Sequence, residues 1–191
     1  MILSRLVLRN DGSLRVVTLV LVLIVVAIIG AACNSGSCCD PTFSKIQSLV
    51  GMDLSIKNFE GERFKQAKEY DVSELPDATA AYLLFFTPPD SEPIQYEIRV
   101  YPDHASALQN GISYAEEVSS EDALLRSVDV RWTEGTKDRR GGGAFSGQLT
   151  PMYGDYAVAG NLILLCEGRS SEQSLERCAE LLWAAGIGVE G

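Results

Sequence analysis

Residues 94–101 read Ile94-Gln95-Tyr96-Glu97-Ile98-Arg99-Val100-Tyr101. Apolar and polar side chains alternate at a period of two. Ile94, Tyr96, Ile98 and Val100 therefore share one face, and Gln95, Glu97 and Arg99 the other. The pattern predicts a half-buried strand with its charged face in water. Upstream, Ala80 to Thr87 (AAYLLFFT) is rich in aromatic and aliphatic residues, and Pro88-Pro89-Asp90-Ser91-Glu92-Pro93 supplies a turn between the two runs. Together they predict an antiparallel hairpin.

Downstream, Asp103 can cap a helix running to about Val118, with Ala105, Leu108, Ile112 and Ala115 as its inner face. Gly111 weakens that helix by about 1 kcal/mol relative to Ala. Ser127 to Trp132 (SVDVRW) alternates again and reads as a strand, followed by a polar, glycine-rich loop from Thr133 to Gly147. Tyr156–Ala159, Gly160-Asn161 and Leu162–Cys166 predict a second hairpin with a two-residue turn. The unbroken apolar run 162–166 suits a central strand covered on both faces. Ser170 or Ser171 caps a final helix that ends near Gly186.

Toward the N-terminus the signal is weaker. Phe64, Ala67 and Tyr70 fall on one side of a short helix, as do Phe43, Ile46, Leu49 and Val50 ahead of Gly51. The sum is an α+β fold: an antiparallel sheet of about five strands with helices packed on one face, preceded by one N-terminal hydrophobic helix.

That first segment directs export. Arg5, Arg9 and Arg15 precede an uncharged run from Val16 to Ala32, and no charge appears until Asp40. Seventeen helical residues span roughly 25 Å, against a hydrocarbon core of roughly 30 Å, so a few flanking residues complete a crossing. The arginine flank places that end in the cytoplasm and the remainder outside. Residues 1–32 are expected to serve as signal peptide or signal anchor, 33–40 as a linker and 41–191 as an extracytoplasmic domain. Ile29-Gly30-Ala31-Ala32-Cys33 resembles the lipobox of bacterial lipoproteins, with Gly30 where that family usually has an aliphatic residue. The resemblance implies cleavage before Cys33 and diacylation of its thiol. An uncleaved anchor and ordinary cleavage after Ala32 are the alternatives. Lipid and helix alike attach the protein to the membrane.

The chain of 191 residues is 46% hydrophobic and 22% charged, a globular composition and not a disordered one. It carries 16 basic and 26 acidic residues, net −10. Setting aside Arg5, Arg9, Arg15 and Asp11 leaves 13 basic and 25 acidic residues, net −12, beyond Ala32. Such a domain is repelled by phosphate backbones, so no nucleic-acid partner is expected.

There are five cysteines, Cys33, Cys38, Cys39, Cys166 and Cys178. Lipidation of Cys33 leaves four in a compartment where disulfides persist. Leu175, Cys178, Leu182 and Ala185 share one face of the final helix, aiming Cys178 at the core, while Cys166 ends an apolar strand. A Cys166–Cys178 bridge is expected, with two unpaired buried thiols as the alternative. Cys38 and Cys39 are adjacent and do not easily pair with each other, so they suit a cross-link between two copies or a bridge elsewhere. No C-x-x-C is present and His104 is the only histidine, so no metal or cofactor is expected.

Lys137-Asp138-Arg139-Arg140-Gly141-Gly142-Gly143 concentrates three cations beside a permissive backbone. It lacks the G-x-x-x-x-G-K-[ST] of a phosphate-binding loop. Two readings stand: a solvated hairpin loop, or a contact site for a protein or anionic envelope partner. Any Ser–His or Cys–His mechanism must use His104, and no nucleophile motif accompanies it, so no catalytic residue is assigned. Trp132, Tyr153 and Tyr156 flank the loop and suit core packing or a shallow pocket. The expected function is a membrane-tethered binding, sensing or envelope-assembly module. The alternatives are an envelope-acting hydrolase and a structural lipoprotein linked through Cys38 and Cys39.

Overall fold

The computed structural model describes residues 43–49, 51–142 and 147–188. The expected signal segment 1–32, the linker 33–40 with Cys33, Cys38 and Cys39, and also Val50 and Gly143, lie outside the described residues.

The two hairpins meet in one sheet. Strands β1 (Ile46–Gln47), β2 (Phe64–Tyr70), β3 (Ala80–Phe86), β4 (Ile94–Val100), β7 (Tyr153–Ala159) and β8 (Leu162–Glu167) form it in the order β1-β7-β8-β4-β3-β2. β5 (Arg140–Gly142) and β6 (Leu149–Pro151) make a separate two-stranded ribbon. The sheet is mixed and not purely antiparallel, because β1 runs parallel to β7 with Ile46 opposite Val158. At the hairpin tip Gly160 adopts φ +57°, the left-handed geometry that the two-residue turn needs.

β4 and β8 sit side by side at the centre, with Ile98 opposite Leu164. One face of the sheet carries Tyr96, Ile98, Leu164 and Cys166 against Cys178, Leu181 and Leu182 of the final helix, α2 (Ser171–Ala184). Ser170 caps α2 by accepting the Gln173 amide. The other face carries Ile163, Leu165 and Tyr101 against a helix over residues 104–116, α1. Helices therefore cover both faces, where one was expected. β8 is apolar at every position from Leu162 to Cys166, and each side needs a cover.

α1 is α-helical at His104–Ser106, π-helical at Ala107–Gly111 and α-helical again at Ile112–Glu116. Asp103 caps it through the Ser106 amide. The wide π turn takes up an extra residue: Ala107, Gly111 and Ala115 are buried, Leu108 and Ile112 pack half-buried against the same core as expected, and Ala105 is exposed.

Three expected elements take another form. The segment Phe64–Tyr70 is an edge strand and not a helix. A bulge between Gln66 and Lys68 shifts its phase, so Phe64 faces the α2 side while Tyr70 faces the other. The segment from Phe43 contributes β1 rather than a helix. Ser127–Trp132 joins no ladder: Val128 is exposed, whereas Val130 and Trp132 are buried by packing from an irregular segment.

Candidate functional site

Gln95, Glu97 and Arg99, read as the wet face of β4, are covered by the segment between α1 and β5. Glu97 and Arg99 are wholly buried, as is Arg139 at 1% exposure. Arg99 donates through Nε to Glu97 Oε1 at 2.7 Å, and Arg139 through Nε to Glu97 Oε2 at 2.7 Å. The Trp132 ring packs against both guanidinium groups, 4.9 Å from Arg99 and 4.3 Å from Arg139. Burial alone would push the Glu97 carboxyl up, but Arg139 and Arg99 outweigh it and hold Glu97 below its ordinary value.

Phenols and an amide surround this cluster. Gln95 Nε2 donates to the Asp138 carbonyl at 2.6 Å and to Tyr153 Oη at 3.0 Å. Tyr70 Oη donates to Asp138 Oδ2 at 2.9 Å. Desolvation raises the phenols of Tyr70, Tyr153 and Tyr101, the last to about 12, so all three are neutral at physiological pH. Trp132 and Tyr153 thus belong to the interior and line no surface pocket.

This changes the reading of the basic stretch. Arg139 is a core residue and no solvated loop contact, because Glu97 requires a second cation and reaches 42 residues along the chain to find it. Arg140 is half-buried and donates through Nη1 to the Leu125 carbonyl at 2.9 Å. Of the three cations only Lys137 stays exposed. Gly141 and Gly142 enter β5, paired with Thr150 and Leu149. Gly142 sits at φ +76°, where a Cβ would also meet the Gln148 carbonyl, so glycine is needed there for the ribbon to form.

Beyond β5 opens a groove of about 1060 Å³. Gly141, Thr150 and Met152 line it on the ribbon side, and Arg169 ahead of α2 with Gln173 and Arg177 in the first half of α2 line it on the helix side. Glu121 and Glu167 also line it. Arg177 donates through Nη1 to the Glu167 carbonyl at 2.9 Å, whereas the Arg169 side chain is exposed. Two arginines and two glutamates thus line the groove, with Arg177 paired to Glu167 at 3.4 Å, within a strongly acidic domain. The sequence signal pointing here was the run of glycines. Nothing in the local pattern marked Arg169 or Gln173.

Ser171 lines the same groove and donates to Asp155 Oδ2, whose other oxygen accepts from Lys45. His104 lies elsewhere: its Nδ1 meets the Gly160 carbonyl at 2.7 Å, beyond the opposite end of β7. Five strand residues separate Asp155 from Gly160, roughly 16 Å, so His104 and Ser171 form no catalytic pair. Among the described residues no group of three His, Cys, Asp or Glu could hold a metal ion, and no helix is long and apolar enough to cross a membrane.

Cys166 and Cys178 are bonded, joining β8 to α2. Fold and site together define an α+β domain stapled between strand and helix, with a buried charge cluster behind a surface groove. The chain belongs to a family of unknown function (DUF6810), which matches residues 55–185 and so takes in β2–β8, both helices, the cluster and the groove. No curated protein and no solved structure matches it.

Proposed function

We propose that this chain is a membrane-tethered extracytoplasmic binding module, which offers the groove between β5–β6 and the start of α2 to an anionic envelope polymer or an acidic segment of a protein partner. The groove is the observation that carries the reading. It is broad, it is lined by hydrogen-bonding side chains and exposed strand backbone, and its balanced charge makes it a place where an acidic domain repels an anion least. The Cys166–Cys178 bond supports export, since such bonds persist outside the reducing cytosol. The arginine-flanked run 16–32 and the lipobox-like 29–33 supply the tether, as lipid on Cys33 or as a hydrophobic N-terminal helix.

A photo-crosslinking amino acid at Gln173, in the groove, tests the binding role in intact cells, with Val128 on an exposed loop as the control. Adducts at Gln173 that are lost in Arg169→Glu support it, and equal labelling at both positions refutes it. The intact mass of the membrane-extracted protein tests the tether. A diacylated Cys33 start or an unmodified Met1 start supports attachment, and an unlipidated mature start excludes it.

A further inference from the structure

The chain enters the domain at the rim of the groove. β1 runs parallel to β7 with Ile46 opposite Val158, so the residues ahead of Ile46 come in from the Asp155 end of β7. Lys45 pairs there with Asp155, whose second carboxylate oxygen accepts from Ser171 in the groove. Gly154, the neighbour of Asp155, lines the groove as well.

Only ten residue steps separate Cys33 from Phe43. At full stretch that length of chain reaches roughly 35 Å. A domain of about 150 residues is wider, roughly 40 Å across. Held at Cys33 by so short a connection, the domain keeps its entry end, and with it the groove, turned to the bilayer.

The charges left free in the groove are one of each sign. Arg177 is paired to Glu167. Arg169 and Glu121 are exposed, and their side chains pair with nothing among the described residues. A simple anion is attracted by Arg169 but repelled by Glu121, whereas a zwitterion satisfies both. A headgroup with no net charge also escapes the repulsion that the acidic domain exerts on anionic lipid.

We propose that the groove takes the phosphoethanolamine headgroup of the bilayer that carries the tether, with Arg169 on the phosphate and Glu121 on the ammonium. The inference rests on the tether of the proposed reading and not on the partner named there.

The test places the full chain, extracted with its own tether, in nanodiscs of equal parts phosphatidylethanolamine, phosphatidylcholine and phosphatidylglycerol. A photo-crosslinking amino acid at Gln173 captures the groove's occupant, and intact mass identifies it. Phosphatidylethanolamine adducts should exceed phosphatidylcholine adducts about fivefold, the upper end for one exposed charge pair whose ammonium can donate. Glu121→Gln should abolish that preference, and Arg169→Met should lower capture of all three lipids. A preference for phosphatidylglycerol overturns the inference, since the groove would then be a plain anion site. Equal capture of the three overturns it as mere nearness to the bilayer, and so does the absence of lipid adducts on a chain that stays with the disc. A chain that leaves the disc removes the tether and this inference together, and leaves the cellular crosslinks to judge the binding role alone.

Discussion

Arg139→Met separates the two readings of the basic stretch. In water, an arginine among glycines can be removed at a cost of a few tenths of a kcal/mol. Within the cluster the same change deletes one of two cations on a carboxylate that has no access to solvent. Breaking a buried charge pair costs about 3–5 kcal/mol. Arg99 stays on the other Glu97 oxygen, so the lower end applies, near 3 kcal/mol. Loss of the Trp132 contact adds roughly 1 kcal/mol, and methionine preserves most of the buried stem. For a domain of this size that total lowers the melting point by roughly 8–16 °C.

Urea denaturation followed by tryptophan fluorescence suits the measurement, because Trp132 is buried in the cluster while Trp183 is exposed and reports little. The midpoint should fall with the slope unchanged. Arg140→Met is the internal control. It loses one half-buried hydrogen bond to a carbonyl, worth about 1 kcal/mol. Glu97→Gln and Arg139→Met together should cost at least about 1 kcal/mol less than the sum of the two alone, since both changes remove the same Glu97–Arg139 contact. If Arg139→Met costs no more than Arg140→Met, Glu97 does not depend on Arg139, and the whole stretch returns to the surface.

Three further outcomes follow from the same contacts. Glu97 titrates below its unfolded value of 4.5, so the unfolded chain takes up the proton first. The pair's contribution is complete above about pH 4.5 and disappears as pH falls through the folded value, so wild type and Glu97→Gln should differ less in stability at pH 3 than at pH 7. Cys166 and Cys178 are 12 residues apart, and closing a loop of that size contributes about 3 kcal/mol; the melting point should drop on reduction, and a fully thiol-labelled protein melting like the oxidised one would contradict it. Gly111→Ala should cost about 1–3 kcal/mol through collision with Tyr101 and Ile163, whereas Gly188→Ala, which meets nothing, should be neutral in the same melts.

Where a segment's environment is local, its pattern was enough. The hairpin 156–166 and the strand–helix disulfide could be read because turn chemistry, unbroken apolar character and the helical spacing of Cys178 are all contained in short windows. β4 shows the limit. Its period of two was legible, but the fate of Gln95, Glu97 and Arg99 depends on Trp132, Asp138 and Arg139, which lie far along the chain. A charged alternating face looks the same in sequence whether water or a paired cation covers it. In β2 the bulge at Gln66/Lys68 breaks the alternation, and a broken period of two with apolar residues at Phe64, Ala67 and Tyr70 imitates a helix. The groove was half legible. Its glycines stand out, but the α2 wall reaches it only through the packing of α2 on β7 and β8.

The cluster and the groove are consequences of one residue pair placed between them. Between Glu117 and Arg140 the chain has no regular ladder of its own to hold it against the sheet. Polar anchors hold it instead: Trp132 Nε1 donates to the Asp71 carbonyl at 3.0 Å, and Arg139 binds Glu97. Arg139 is followed directly by β5, and its carbonyl accepts the Met152 amide at 3.0 Å. The guanidinium in the interior and the carbonyl at the ribbon thus belong to one residue, and fixing the first fixes the second. An apolar residue at position 139 could fill the volume but would accept many orientations, whereas a guanidinium held by a carboxylate and stacked on an indole accepts few. On this argument the buried charge, unfavourable to enclose, helps set the position of a strand whose last two residues, Gly141 and Gly142, have no side chains to position them. The wall of the groove is placed from beneath, by Glu97 on the central strand.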